Sequence, residues 1–314
     1  MQHNHGEASG PAWRDDPLLV TSGVATQDYP ASALYVVATP IGNVADITLR
    51  ALWVLAQADA IAAEDTRVTR ALLARYGIAT PRHGVIATHA HNERGAGARI
   101  NALLADGARV ALVTDAGTPA ISDPGARVVA DARTAGHRVI PVPGASSVTA
   151  ALCAAGFGEG GFRFIGFVPT GAKARQRVLA DAAAAGETFV LLEAPHRVAV
   201  TVRDLHAALG ATRRVLIARE LTKLHETIEV VPAAELAAWC ASHTPRGEYV
   251  IAVDADADTA DAVATLDATT RRWLAALADA LPAARAAAVA AKATGLPREL
   301  LYAALTARAQ PANE

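Results

Sequence analysis

The chain has 314 residues, 52% of them hydrophobic and only 4% aromatic, with a formal net charge of −2 at pH 7. That length accommodates two ordinary domains. The charge argues against a strongly basic nucleic-acid binder. Two cysteines, Cys153 and Cys240, exclude a disulfide framework and fit a reducing cytoplasm, and no apolar run reaches the length of a membrane span.

Residues 1–31 are polar, Gly/Pro-bearing and aperiodic, which predicts a disordered tail. From residue 33 onward short apolar runs alternate with helix-like stretches. Strands are expected near 34–38, 59–63, 84–88, 109–113 and 138–142. Helices fill the intervals, including Thr66–Tyr76 with Gly77 as its stop. This alternation is the grammar of a mostly parallel sheet.

Three strand–loop–helix junctions stand out. Leu34–Ala38 runs into Thr39-Pro40-Ile41-Gly42-Asn43, and Val110–Val113 into Thr114-Asp115-Ala116-Gly117-Thr118-Pro119 followed by Ser122-Asp123-Pro124-Gly125. Val139–Val142 runs into Pro143-Gly144-Ala145-Ser146-Ser147. Parallel strands would open all three loops on one sheet edge, where α/β proteins bind ligands. Small residues there let a ligand approach the backbone.

Gly156–Gly161 reads as a hinge-like break. Beyond it, strands near 163–168, 188–192, 214–218, 225–231 and 248–253, with helices at 173–185, 196–209 and 232–241, predict a second, mixed sheet. The division is an N-terminal α/β domain over 32–145 and a second α/β domain over 146–254. An acidic linker (255–265) and a C-terminal helical segment (266–310) with a helix–turn–helix look follow.

Several motifs fail. The stretch from Gly166 to Lys173 misplaces the lysine of a P-loop, Gly144–Val148 lacks the closing glycine of a nucleophile elbow, and no G-x-G-x-x-G follows the first strand. His89-Ala90-His91-Asn92-Glu93 lacks further fixed ligands, so no metal is expected. Glu64-Asp65-Thr66-Arg67 places four polar groups after a buried-looking strand, which is costly unless they are satisfied or used; Asp65 or Thr66 also suits a helix cap. Glu193-Ala194-Pro195-His196-Arg197 repeats the form in the second half, and residues 162–180 hold Arg163, Lys173, Arg175 and Arg177 with no acid, a patch suited either to phosphates or to a solvated helix face.

Taken in order, VVATPIGNVADITLRAL, IAAEDTRVTRALL, THAHNE, LVTDAGTPAISDPG, PVPGASS, GFVP, EAPHR, ARELTKLHE and GEYV span about residues 33–254. Together they resemble the ribosomal RNA small-subunit methyltransferase I family, a branch of the tetrapyrrole-methylase-like enzymes that use S-adenosylmethionine (SAM). The resemblance implies two α/β domains of the tetrapyrrole methylase type with a SAM cleft between them. SAM would be held by Pro40, Ile41, Gly42, Asp115, Gly117, Thr118, Ile121, Ser146, Ser147 and Leu192. The wider superfamily's glycine-rich first loop is replaced here by Thr39–Asn43, and Thr118 stands where many relatives place an acid before proline; both departures match the ribosomal RNA branch.

The implied reaction is 2′-O-methylation of a cytidine in the decoding region of 16S rRNA in the small ribosomal subunit, by a cytoplasmic homodimer. Candidate catalytic residues are Glu64, Asp65, Glu93 and Lys223, and candidate RNA contacts are Arg67, Lys173, Arg175, Arg177, His196 and Arg197. Two other readings fit the same residues: a porphyrinoid methyltransferase, and a non-catalytic ribosome-assembly factor that keeps a SAM-like pocket.

Overall fold

A computed structural model describes residues 17–88, 93–158, 160–255 and 266–307. Residues 1–16 of the expected tail, His89–Asn92, positions 256–265 of the linker and 308–310 lie outside the described residues. The chain forms two compact units that divide between Ser147 and Val148, ahead of the Gly156–Gly161 break.

In the first unit, helices α1 (Pro17–Thr21), α2 (Leu49–Gln57), α3 (Thr66–Arg75), α4 (Glu93–Ala105), α5 (Ala126–Thr134) and the start of α6 (Ser147–Ala155) accompany five strands. These are β1 (Ala33–Val37), β2 (Ala60–Ala63), β3 (Val85–Ala87), β4 (Arg109–Val113) and β5 (Arg138–Val142). Their order is β3-β2-β4-β1-β5 and every pairing is parallel. Successive residues of a strand face opposite sides. Ala33, Tyr35 and Val37 therefore pack with Val54, Leu55 and Leu73 beneath α2 and α3, while Leu34 packs with Ile100, Leu104 and Val128 beneath α4 and α5. Two covered faces explain why these strands read as continuous apolar runs.

Helix starts follow local chemistry. The Thr48 hydroxyl accepts from the Ala51 amide at 3.1 Å and caps α2, a contact of about 1 kcal/mol. Asp65 caps α3 by accepting from the Arg67 amide at 2.8 Å. Gly77 follows α3 at φ +64°, the left-handed turn that stops the helix.

The disordered tail is corrected over 17–31. Leu19 and Val24 are buried, the Tyr29 hydroxyl donates to the Val24 carbonyl, and Arg109 Nε donates to the Tyr29 carbonyl at 2.8 Å. Three apolar anchors at irregular spacing suffice to hold the segment, although they create no periodic pattern.

The second unit holds β6 (Phe162–Phe167), α7 (Ala172–Ala184), β7 (Thr188–Glu193), α8 (Pro195–Ala208), β8 (Arg214–Arg219), β9 (Thr227–Pro232), α9 (Leu236–Ser242) and β10 (Tyr249–Val253). The sheet order is β6-β7-β10-β8-β9; β6 and β7 run parallel and the other pairs antiparallel, the mixed sheet expected from the close strand spacing after residue 213. Helices α10 (Ala268–Ala280), α11 (Ala283–Thr294) and α12 (Arg298–Ala307) close on a small core of Leu274, Ala286, Ala287, Ala290, Leu301 and Leu305. Gly295, at φ +72°, ends α11 and turns the chain into α12. No helix among the described residues is long and apolar enough to cross a membrane.

Candidate active site

In the first sheet β1 and β4 are neighbours, yet the chain leaves β1 toward β2 on one side and leaves β4 toward β5 on the other. Their carboxyl ends therefore flank a topological switch point, the crevice where open α/β sheets bind ligands.

Main-chain atoms zip the loops together at that crevice. The Thr39 amide donates to the Gly117 carbonyl at 2.9 Å and the Gly117 amide to the Thr39 carbonyl at 3.0 Å. The buried Thr39 hydroxyl donates to the Thr114 carbonyl at 3.1 Å, and the Thr118 hydroxyl to the Ala145 carbonyl at 3.1 Å. Gly117 sits at φ +85°, and a Cβ there would lie 3.3 Å from Ile41 Cγ2. A Cβ on Gly144 would lie 2.9 Å from the Ala38 Cβ. The convergence of the three loops thus depends on residues without side chains at the tightest points.

Of the cofactor candidates, Pro40 and Ile41 are buried, Gly42 is exposed beside them, and Ile121 is 48% exposed on the second loop. Ser146 and Ser147 lead into α6. Leu192 belongs to the second unit, on β7, paired with Val250 of β10. A cavity of about 390 Å³ lies beside the crevice, walled by Pro40 and Val44, by Val68, Thr69, Leu72 and Arg75 of α3, and by Thr114 and Asp115.

Carboxylates gather at the same edge. The Thr114 hydroxyl donates to Glu64 Oε2 at 2.7 Å, and the Asp115 amide points to the same oxygen at 3.5 Å. The Asp65 amide donates to Asp115 Oδ1 at 3.0 Å. Half-buried Asp123 faces this group: burial first, then the negative charges of Glu64 and Asp115, push its carboxyl up to about 6, against the opposing hydrogen bond from Thr114. Asp115 is also raised, by burial above all. Asp65 goes the other way, down to about 2, because the Arg67 side chain and amide both hydrogen-bond it. Ala120 and Ser122 adopt φ +66° and +65°, so two non-glycine residues in left-handed conformation bring Asp123 round to the cluster.

This geometry reorders the catalytic candidates. Asp65 is a helix cap locked to Arg67 at 2.6 Å and a weak proton acceptor. Glu64 shares the cluster with Asp123, a loop carboxylate visible in the sequence but not placed among the catalytic candidates there. Its signal, a half-buried acid beside other acids, arises only in three dimensions. Glu93 opens α4, and its side chain lies outside the described residues. Lys223 lies in the second unit between Glu220 at 3.0 Å and Glu248 at 2.9 Å. Burial opposes its charge, but the two carboxylates outweigh burial and keep its pKa above the ordinary value. Two neighbouring acids thereby neutralise the charge it was expected to offer.

The RNA candidates divide similarly. Arg175 is corrected: it is buried, with Nε on Asp204 at 2.7 Å and another nitrogen on the Thr170 carbonyl at 3.1 Å. Arg197 pairs with buried Glu193 at 3.3 Å and donates to the Val168 carbonyl, so the EAPHR motif locks a strand end to a helix start. Thr201 also donates to Glu193, at 2.6 Å. Lys173, Arg177 and His196 remain exposed, and exposed Arg67 is tied to Asp65.

Comparison with known proteins joins this geometry to a lineage. The profile of the Tetrapyrrole (Corrin/Porphyrin) Methylases matches residues 33–237, and that of the RsmI C-terminal HTH domain matches 264–309. The Ribosomal RNA small subunit methyltransferase I of Mesorhizobium japonicum is 46% identical over 86% of this chain and 90% of its own length. The chain belongs to the ribosomal RNA small subunit methyltransferase I family. The protein of that name from Pseudomonas aeruginosa is 44% identical over 87% of this chain and 96% of its own. Among solved structures, a cobalamin biosynthetic enzyme, cobalt precorrin-4 methyltransferase, superposes with a TM-score of 0.53 at 21% identity, over 71% of this chain and 95% of its own; that likeness concerns the fold.

Proposed function

We propose that the chain is a SAM-dependent methyltransferase of small-subunit ribosomal RNA, acting on the 2′-hydroxyl of a cytidine in the decoding region of 16S rRNA. The observation that carries the reading is the Thr39–Gly117 latch beside the Glu64–Thr114–Asp123 cluster, within a chain 46% identical to a ribosomal RNA small subunit methyltransferase I. A cofactor pocket and a proton acceptor at one switch point suit methyl transfer to a hydroxyl.

The residues present fit SAM. Gly117 and Gly144 sit where side chains would crowd the loops, Pro40, Ile41 and Ile121 offer apolar surface, and Thr118, Ser146 and backbone groups offer polar partners. When bound, SAM supplies a sulfonium-activated methyl group. The protein's own task is then alignment of the acceptor oxygen, with a base acting late in the displacement.

Asp123 is the base we assign. A carboxylate near 6 is ionised at neutral pH and basic enough to receive a proton, whereas Asp65 near 2 is not. Once Asp123 is protonated, it donates to the Thr114 oxygen while Thr114 continues to donate to Glu64. This relay keeps the new neutral acid hydrogen-bonded. Selection of RNA would rest on the 2′-hydroxyl itself.

The test is transfer of labelled methyl from SAM to small ribosomal subunits from cells lacking this gene, with the modified nucleotide mapped. A 2′-O-methylcytidine in the decoding region supports the reading. Methylation of a porphyrinoid instead, or RNA binding without SAM binding, overturns it. The expected cytoplasmic homodimer is checked by light scattering of the purified chain.

A further inference from the structure

Seven arginines of the second unit make a contrast. Arg175, Arg197, Arg213 and Arg214 are locked: to Asp204, to Glu193, to the carbonyls of Ala183, Glu187 and Asp254, and to the Asp254 carboxylate. Arg163, Arg177 and Arg298 are not. Among the described residues Arg163 has no ion-pair partner and Arg298 has none either, its Nη2 donating to the Ala284 carbonyl at 3.5 Å, while Arg177 lies 3.8 Å from Asp181. These three come from β6, α7 and the first turn of α12, over 130 residues of sequence, and line one cleft of about 360 Å³. Its walls include Ala180, Ala184 and Ala284, whose small side chains leave the guanidinium groups accessible.

We propose that this cleft between α7 and the C-terminal helices is a binding site for backbone phosphates of the RNA substrate. Guanidinium groups present planar forks of donors that match phosphate oxygens, and an arginine is the residue of choice where that geometry is read. The cleft also contains Asp181 and Glu299, so its net charge is modest. The Arg177–Asp181 pair is long and open to solvent, with side chains 84% and 65% exposed, and such a pair yields readily to a phosphate. Three weakly engaged cations from separate elements fit an anion that arrives as a chain. The site lies away from the first unit's loops in sequence and serves to hold the RNA, not to react with it.

The inference rests on the ribosomal RNA reading, and its test separates the two. The full-length R163A/R298A double variant and a D181N variant are compared with the wild type. Three readouts are used: anisotropy of a fluorescein-labelled single-stranded RNA of decoding-region sequence across a salt series, KM and kcat for small subunits, and calorimetric SAM binding as a fold control. The double variant is expected to bind the RNA about tenfold more weakly, with a salt slope shallower by about 0.7 for each lost phosphate contact. KM rises with kcat little changed, and D181N shifts affinity the opposite way. A double variant that binds SAM normally and keeps wild-type RNA affinity and salt slope overturns the proposal while leaving the methyltransferase reading intact. Saturation of the wild type by inorganic phosphate, with RNA affinity unchanged in the double variant, marks a free-anion site and overturns it too. Weakened RNA binding in the double variant, in a wild type that transfers no methyl to subunits, supports the cleft and removes the methyl-acceptor reading.

Discussion

The Thr114 hydroxyl donates to Glu64 Oε2 at 2.7 Å, joining the end of β4 to the residue that follows β2. Thr114 is buried, so its single proton is committed to one carboxylate at a time. That bond ties Glu64 to the end of β4 beside Asp123, whose carboxyl is pushed up to about 6, by burial above all.

Asp123→Asn is expected to lower kcat by about 10²–10⁴, the usual range for a general base. Wild-type kcat should rise with pH through about 6, as the Asp123 carboxyl ionises. The variant should lack that rising limb. An unchanged limb in D123N would assign it to another group.

Stability moves the other way with pH. The folded pKa of Asp123 lies above the ordinary value of 3.8, so its protonated form is favoured in the native state. The associated stability is present below 3.8 and is lost as pH rises through about 6. D123N should therefore melt above the wild type at pH 8, by up to about 1 kcal/mol after solvent screening, with the gap narrower at pH 5 and gone below about pH 4. Melting curves at the two pH values check this.

Arg175 and Arg177 give a contrasting pair. Arg175→Ala leaves the partly buried Asp204 carboxylate with only Gln176 and without its guanidinium, and should cost about 2–3 kcal/mol. Arg177→Ala removes only an exposed partner of Asp181 and should leave denaturant midpoints within about 0.5 kcal/mol of wild type. RNA affinity should respond in the reverse order.

The two arginines also show how far a sequence can be read. They stand two residues apart, about 200° around a helix, so one faces the core and the other faces solvent. A count of charges in 162–180 sees both as one patch. The strands were legible to within a residue or two because each is a short apolar run bounded by Gly, Pro or small polar residues. The three-loop convergence was legible because parallel strands admit no other placement of their ends. Asp123 was not legible as a candidate: its environment is made by burial first and then by Glu64, 59 positions earlier and on a different strand end. Residues 17–31 escaped because Leu19, Val24 and Tyr29 follow no single period.

Gly117→Ala tests the latch. Alanine at φ +85° costs about 1–2 kcal/mol in backbone strain, and its Cβ crowds Ile41. Weaker SAM binding by calorimetry, together with a lower melting temperature, is the expected result. Normal SAM affinity would show that the loops do not need their present spacing.

The latch between Thr39 and Gly117 is built from main-chain N–H and C=O groups. Its grip therefore does not rest on side-chain functional groups, so exchange at a neighbour such as the exposed Ala116 leaves the frame of the crevice in place.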